Sequence, residues 1–246
     1  MSEVPSSRQF ASDDVSVRVI IPALNEERAI RKVIEDIPDW ISSITVVDNG
    51  STDQTAERAK QSGARVVHEP EEGYGAACLA GLSSLEASTD IVVFLDGDYS
   101  DDPTEMGRLV HPLLKEDVDL VIGSRSRGSA EPGALSPQAR WGNALACILM
   151  KLFWRKSFTD LGPFRAIRMD ALRSLHMRDR DYGWTVEMQV KALRRGLSVR
   201  EVPVSYRPRI GTSKITGTVS GVLGAGYKIL WTLFYYAFLA PEPDRE

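Results

Sequence analysis

Short runs rich in Val and Ile alternate with amphipathic segments over residues 17–125, and nothing else in the sequence constrains the fold as tightly. Residues 17–21 form a β-branched run that stops at Pro22, the pattern of a buried strand. Between 25 and 37, apolar side chains fall at Ala29, Ile30, Val33, Ile34 and Ile37. That spacing predicts a helix ending before Pro38. A second strand covers 44–47; Asn49-Gly50 then turns the chain, and Ser51 or Thr52 is placed to cap a helix reaching Gln61. Residues 65–68 read as a third strand, 75–85 as a helix and 91–95 as the most apolar strand of the series. A helix opens at Pro103, and 120–122 makes a fifth strand. Strands alternating with helices imply an α/β fold, a mostly parallel twisted sheet flanked by helices.

Ligands of such sheets bind beyond the carboxyl ends of the strands. Polar clusters fall at three of those ends: 22–27, 48–53 and 96–98. Asp96-Gly97-Asp98 sets two carboxylates two residues apart, with Gly97 to allow a tight bend. Hard oxygen ligands suit Mg²⁺ or Mn²⁺, which would neutralise a diphosphate; the same three residues also read as a solvated acidic turn. Asp48 ends its strand where a carboxylate can accept from a nucleobase N–H or a ribose hydroxyl, or close an Asx turn with Asn49. Gly73-Tyr74-Gly75 lacks the spacing of a dinucleotide fingerprint and reads as a turn with close backbone approach beside the pocket.

Three motifs in order, Val19-Ile20-Ile21-Pro22-Ala23-Leu24-Asn25-Glu26, Val46-Val47-Asp48-Asn49-Gly50-Ser51-Thr52-Asp53 and Phe94-Leu95-Asp96-Gly97-Asp98, resemble glycosyltransferase family 2 enzymes of the GT-A fold. Gly123-Ser124-Arg125, Thr159-Asp160, Phe164-Arg165 and Arg209 with Gly211-Thr212-Ser213-Lys214 extend the likeness to the dolichol- and polyprenyl-phosphate sugar synthases. The resemblance implies that Pro22, Ala23, Leu24, Glu26, Asp48 and Asp96 bind a UDP- or GDP-linked sugar. It implies that Asp96 and Asp98 hold Mg²⁺ or Mn²⁺, with Asp98 central to catalysis. Arg125 and Arg140 would then face a lipid phosphate, and the basic loop from Arg209 to Lys214 would close over the phosphates. The chain departs from the synthases at Asn49, Ser100 and Gly162-Pro163, and its Arg209 motif is one residue shorter.

The second half carries two apolar segments. Residues 141–154, flanked by Trp141, Trp154 and Arg155-Lys156, suit a helix at a membrane interface or in a core. In 219–240, the final twelve apolar residues are too short to span a bilayer of about 30 Å as a straight helix. Trp231, Tyr235 and Tyr236 favour docking at a membrane surface; core packing, a protein partner and tilted insertion with Lys228 snorkelling are the other readings. Residues 1–16 are expected to be a flexible N-terminus without a secretory signal, 17–215 the transferase domain, and 216–246 an apolar interface helix and tail. Asp160 is the candidate general base for a hydroxyl acceptor; for a phosphate acceptor it would orient the acceptor or complete the metal site, and it also reads as an ion-pair partner of Arg165. Glu187 reads either as a pocket residue or as a solvated helix position.

A net charge of −4 gives no reason to expect nucleic-acid binding. Two isolated cysteines, Cys78 and Cys147, make neither a disulfide framework nor a zinc site and suit a reducing compartment. The expected activity is inverting transfer of a sugar to a polyprenyl phosphate by a protein peripheral to the cytoplasmic membrane face. Rival readings are a soluble family 2 enzyme acting on a small hydroxyl or phosphorylated acid, a nucleotidyltransferase, and a catalytically silent membrane-surface binding module. Asn25-Glu26-Glu27 after the first strand argues against the nucleotidyltransferase, which needs a glycine-rich basic loop there.

Overall fold

The computed structural model describes residues 15–211 and 219–241. Seven strands form one sheet in the order β3-β2-β1-β4-β6-β5-β7. They are β1 (Val17–Ala23), β2 (Ser43–Asp48), β3 (Arg65–His68), β4 (Ile91–Phe94), β5 (Leu120–Ala130), β6 (Arg165–Arg168) and β7 (Val199–Tyr206). Only β6 runs antiparallel to its neighbours.

Alternation along each strand divides the core in two. Val19 and Ile21 of β1, Val46 of β2 and Val93 of β4 face one side. There they meet α1 (Ile30–Glu35), α2 (Thr55–Gln61) and α4 (Met106–Lys115) through Val33, Ala59 and Leu109. Ile20, Val47, Val92 and Phe94 face the other side. They pack on α3 (Tyr74–Ser83), α5 (Pro137–Trp154), α6 (Met169–Leu175) and α7 (Trp184–Arg194) through residues such as Cys78, Met150, Leu172 and Trp184. Phe94 and Trp184 meet edge-on with ring centroids 5.9 Å apart. All four residues of β4 are buried, as a central strand covered on both faces requires.

Several elements differ from the sequence expectation. Helix α1 begins only at Ile30 because residues 25–29 are diverted into a loop: Asn25 adopts φ 54°, its side chain accepts from Thr52 N at 2.8 Å, and Glu26 N donates to Thr55 Oγ1 at 2.8 Å. Ser51 and Thr52 are engaged with Asn25 and do not cap α2; Asp53 instead accepts from Thr55 N at 2.9 Å. Strand β5 runs well past Ile122 because β7 pairs with it as far as Ala130. Of the segment 1–16, only Val15 and Ser16 are described, and Ser16 O accepts from the amides of Asp90 and Ile91.

Helix α8 (Val219–Phe234) continues into a π-helical turn, Tyr235–Leu239. The apolar stretch Gly221–Leu239 covers 19 residues and is long and apolar enough to cross a membrane by length and composition, with 17% of it buried. It exceeds the twelve-residue run expected from sequence because the helix also takes in 221–228, where glycines and Lys228 interrupt the apolar pattern. Leu233 is fully buried, whereas Leu223, Tyr227, Phe238 and Leu239 are exposed. Helix α5 is likewise two-faced: Ala146, Cys147 and Met150 are buried, while Trp141, Ile148 and Leu152 are each more than 60% exposed. Phe153 joins the two helices through edge contacts to Phe234 and Phe238.

Candidate active site

Strands β2, β1 and β4 are adjacent and parallel, so their carboxyl ends share one edge of the sheet. Ala23 of β1 pairs with Asp48 of β2, and Asp96 follows β4 by two residues. A cleft of about 360 Å³ opens there, lined by Pro22, Ala23, Leu24, Glu26, Asp96, Asp98 and Arg209 among others. Gly73 and Tyr74 form a further wall. Their loop lies directly against the α6–α7 connection: a Cβ on Gly73 would sit 2.1 Å from Arg180 O, and one on Gly75 2.1 Å from Asp179 O. Only glycine permits that contact, which brings Asp181 and Tyr182 to the cleft as well.

The two acidic residues after β4 share the cleft but have different partners. Asp98 is buried; one oxygen accepts from Ser100 N at 2.8 Å and Ser100 Oγ at 2.5 Å. Its other oxygen lies 3.0 Å from Arg209 Nη2, which also reaches Glu26 Oε1 at 3.0 Å. Asp96 accepts from Tyr74 Oη at 3.1 Å. Burial, and next the charge of Asp98, push Asp96 up to about 7. The left-handed residue after this pair is Tyr99, at φ 64°, rather than Gly97.

Two neighbouring carboxylates, Asp98 already drawing a guanidinium, form a donor set that fits a hard divalent cation. Among the described residues no third Asp, Glu, His or Cys completes a cage. Such a cation would therefore take its other ligands from a diphosphate and water, as Mg²⁺ sites commonly do.

Asp48 is buried and its carboxylate turns from the cleft: one oxygen lies 3.1 Å from His68 Nδ1, and the other accepts from Ser51 N at 3.1 Å. Its neighbour Asn49 lines the cleft and ties down the following loop, donating to Glu69 O and Glu71 O and accepting from Gly73 N.

A second polar layer lies behind this cleft. Asp160 is 1% exposed and is clamped by Arg125 through Nη2–Oδ1 at 2.6 Å, Nε–Oδ2 at 3.0 Å and the backbone N at 2.7 Å. Burial opposes the charge of Arg125, but Asp160 outweighs it and raises the guanidinium above its ordinary value. The ion pair with Arg165, the alternative reading of Asp160, is not formed; Arg165 is fully buried and donates to the carbonyls of Leu161, Gly162 and Thr185. Arg125 also stacks over the Tyr206 ring at 5.0 Å. Asp101 is 1% exposed with neither carboxylate oxygen hydrogen-bonded, and burial pushes its pKa well up.

Arg140 is exposed on the first turn of α5, and Lys214 lies outside the described residues. Glu187 is neither solvated nor in the cleft. It is buried, accepts from the amides of Arg178 and Asp179, pairs with Lys191 at 2.8 Å and accepts from Tyr236 Oη at 2.9 Å. Sequence reasoning missed Tyr182 and Tyr206, each brought in from a distant segment, and Asp101, three residues beyond Asp98. Asp101 had a local signal, the run Asp98 to Asp102 without an intervening base, which invited the question of where each charge goes.

The family model described as Glycosyl transferase family 2 matches residues 18–175. An uncharacterized glycosyltransferase of Mycobacterium tuberculosis is 39% identical over 209 residues, 84% of this chain and 92% of that protein. A dolichyl-phosphate hexose transferase of Haloferax volcanii is 30% identical over 220 residues, 87% of this chain and 91% of that one. Among solved structures, glucosyl-3-phosphoglycerate synthase from Mycobacterium tuberculosis, in complex with Mn²⁺, UDP and phosphoglyceric acid, superposes with TM-score 0.76. It is 25% identical, with 94% of this chain and 81% of that one covered. The sheet order, the acidic pair at its edge and these likenesses agree: the chain belongs to glycosyl transferase family 2, with the GT-A fold.

Proposed function

We propose that the protein transfers a sugar, with inversion, from a UDP-linked donor to a polyprenyl phosphate at the cytoplasmic face of a membrane. The observation that carries the donor half is the cleft itself, where Asp96 and Asp98 meet Arg209 at the end of β4 beside Pro22, Ala23 and Leu24 of β1. UDP and Mn²⁺ occupy the structural relative, and GDP is the competing nucleotide.

In this reading the nucleoside lies against Pro22 to Leu24 and the diphosphate lies toward Asp96, Asp98 and Arg209. Asp96 and Asp98 would hold a divalent ion, which would supply charge neutralisation for the departing diphosphate. Arg209 exchanges its carboxylate partners for phosphate oxygens. The acceptor oxygen attacks the anomeric carbon, the bond from that carbon to the diphosphate breaks, and nucleoside diphosphate leaves. A phosphate acceptor is already anionic, so alignment and charge stabilisation carry the catalysis. Both oxygens of Asp160 are held by Arg125, which suits Asp160 to orienting that arginine rather than to taking a proton. Arg125 and Arg140 then face the acceptor phosphate.

The exposed apolar faces of α5 and α8, joined at Phe153, support a lipid acceptor delivered from a membrane surface. The structural likeness to a synthase bound to phosphoglyceric acid favours a second reading, a small phosphorylated acceptor. Thermal stabilisation by UDP but not GDP in the presence of Mn²⁺ tests the donor. Transfer from a UDP-sugar to undecaprenyl phosphate and to phosphoglycerate, compared side by side, tests the acceptor. Turnover with phosphoglycerate alone would discard the lipid assignment while leaving the transferase intact.

A further inference from the structure

A second cavity, of about 790 Å³, lies between α7 and α8. The α6–α7 connection contributes Asp179 and Arg180 to it, and Asp181 and Tyr182 to the donor cleft. Six Lys or Arg line this cavity against two acids, Asp179 and Glu187. Both acids are committed: Asp179 to Lys228 at 3.2 Å and Glu187 to Lys191 at 2.8 Å. Arg180 pairs with Glu71 outside the cavity. Arg178, Arg194 and Arg195 are left without a carboxylate among the described residues. Arg194 donates to the carbonyls of Ala240 and Pro241, which seats the end of the helical segment on α7.

The positive charges are close enough to oppose one another. Burial lowers the Lys191 pKa, and Arg178 and Arg195 lower it further against the pull of Glu187. A concave site with uncompensated cations binds anions. Its neighbours say which kind. Trp231 and Tyr235, 49% and 37% exposed, stack at 6.4 Å and belong to the cavity wall. Tyr227 continues their i, i+4 stripe along α8, and Leu223, Phe238 and Leu239 are exposed on the same helical segment. Arginines that line one cavity with an amphipathic aromatic pair, at the side of an exposed apolar helix, match the chemistry of a membrane interface, where phosphate lies next to the apolar layer.

We propose that the cavity between α7 and α8 holds the phosphate of an anionic membrane lipid, with Arg178 and Arg195 as its counter-charges and Trp231 and Tyr235 against the glycerol region. The proposal rests on α8 facing a membrane, as argued above, and is independent of the sugar-transfer chemistry.

Vesicle co-flotation of the full chain tests it, with pure phosphatidylcholine compared with an equimolar mixture with phosphatidylglycerol. At about 1 kcal/mol per basic residue near the surface, the double variant Arg178→Gln/Arg195→Gln loses about 30-fold in partition onto the mixed vesicles. Its partition onto phosphatidylcholine stays that of the wild type, and Arg178→Lys/Arg195→Lys keeps the preference for phosphatidylglycerol. UDP-dependent thermal stabilisation monitors the fold in every variant. Equal loss on both vesicles, or no loss on either, overturns the proposal. If neither vesicle binds wild type, the membrane reading of α8 falls with it, while UDP binding shows that the transferase reading stands. Protection by free inorganic phosphate with no phosphatidylglycerol preference reassigns the cavity to a soluble anion.

Discussion

Replacing Asp96 with Asn should inactivate the enzyme and stabilise the metal-free protein. The perturbation removes one charge from a pair in which burial and Asp98 raise the Asp96 pKa from 3.8 to about 7. A carboxyl whose folded pKa is raised loses stability as pH climbs from its unfolded pKa to its folded one. Integrating that shift gives a penalty of about 2 kcal/mol at pH 5 and about 4 kcal/mol at pH 8. Asn removes the pH-dependent part, so its advantage over wild type should grow by about 2–3 kcal/mol between those pH values. For a chain of this size that is a rise of about 5–10 °C in the difference in Tm. Urea unfolding in a chelator at pH 5 and pH 8 measures it. Added Mn²⁺ should narrow the gap at pH 8, because only the wild type gains a ligand. A difference independent of pH, or a variant less stable than wild type at pH 8, would refute the claim that the two carboxylates repel across the cleft.

Further outcomes follow from the same geometry. Mn²⁺ affinity should rise about tenfold per pH unit below pH 7 and level off above it, since binding displaces the Asp96 proton; isothermal titration across pH 6 to pH 8 checks this. Asp160→Asn leaves the Arg125 guanidinium, 14% exposed, without its counter-charge and should cost about 3 kcal/mol, read by urea unfolding. Ser in place of Ile148 and Leu152 together should weaken partition onto phosphatidylcholine vesicles and change stability by less than about 1 kcal/mol, because both side chains face solvent.

The edge of the site was legible in the sequence because it depends on short-range rules. A strand buried on both faces must end where polar residues begin, and Asp48 and Asp96 mark two such ends; β1 does not stop at Pro22 but runs on to Ala23, because Pro22 and Ala23 still pair with Val47 and Asp48 of β2. The local pattern went astray where distant segments competed for the same groups. Residues 25–29 have helical spacing, yet Asn25 and Glu26 bond to Ser51, Thr52 and Thr55 across the β1–β2 edge and the helix starts late. Strand β6 is four residues long and its antiparallel pairing depends on β4 and β5, which no periodicity within Arg165–Arg168 could announce.

By itself, then, the sequence determined the alternating sheet, the acidic pair at its rim and the apolar segments at 141–154 and 219–240, because each is a matter of spacing within a dozen or so residues. Only the tertiary structure decided the partners. Asp160 belongs to Arg125 and not to Arg165, Asp48 turns toward His68, and Glu187 is buried beneath Tyr236. Charge pairing falls off over a few ångströms of space, not of sequence, so the choice among dozens of acids and bases is made when the chain folds.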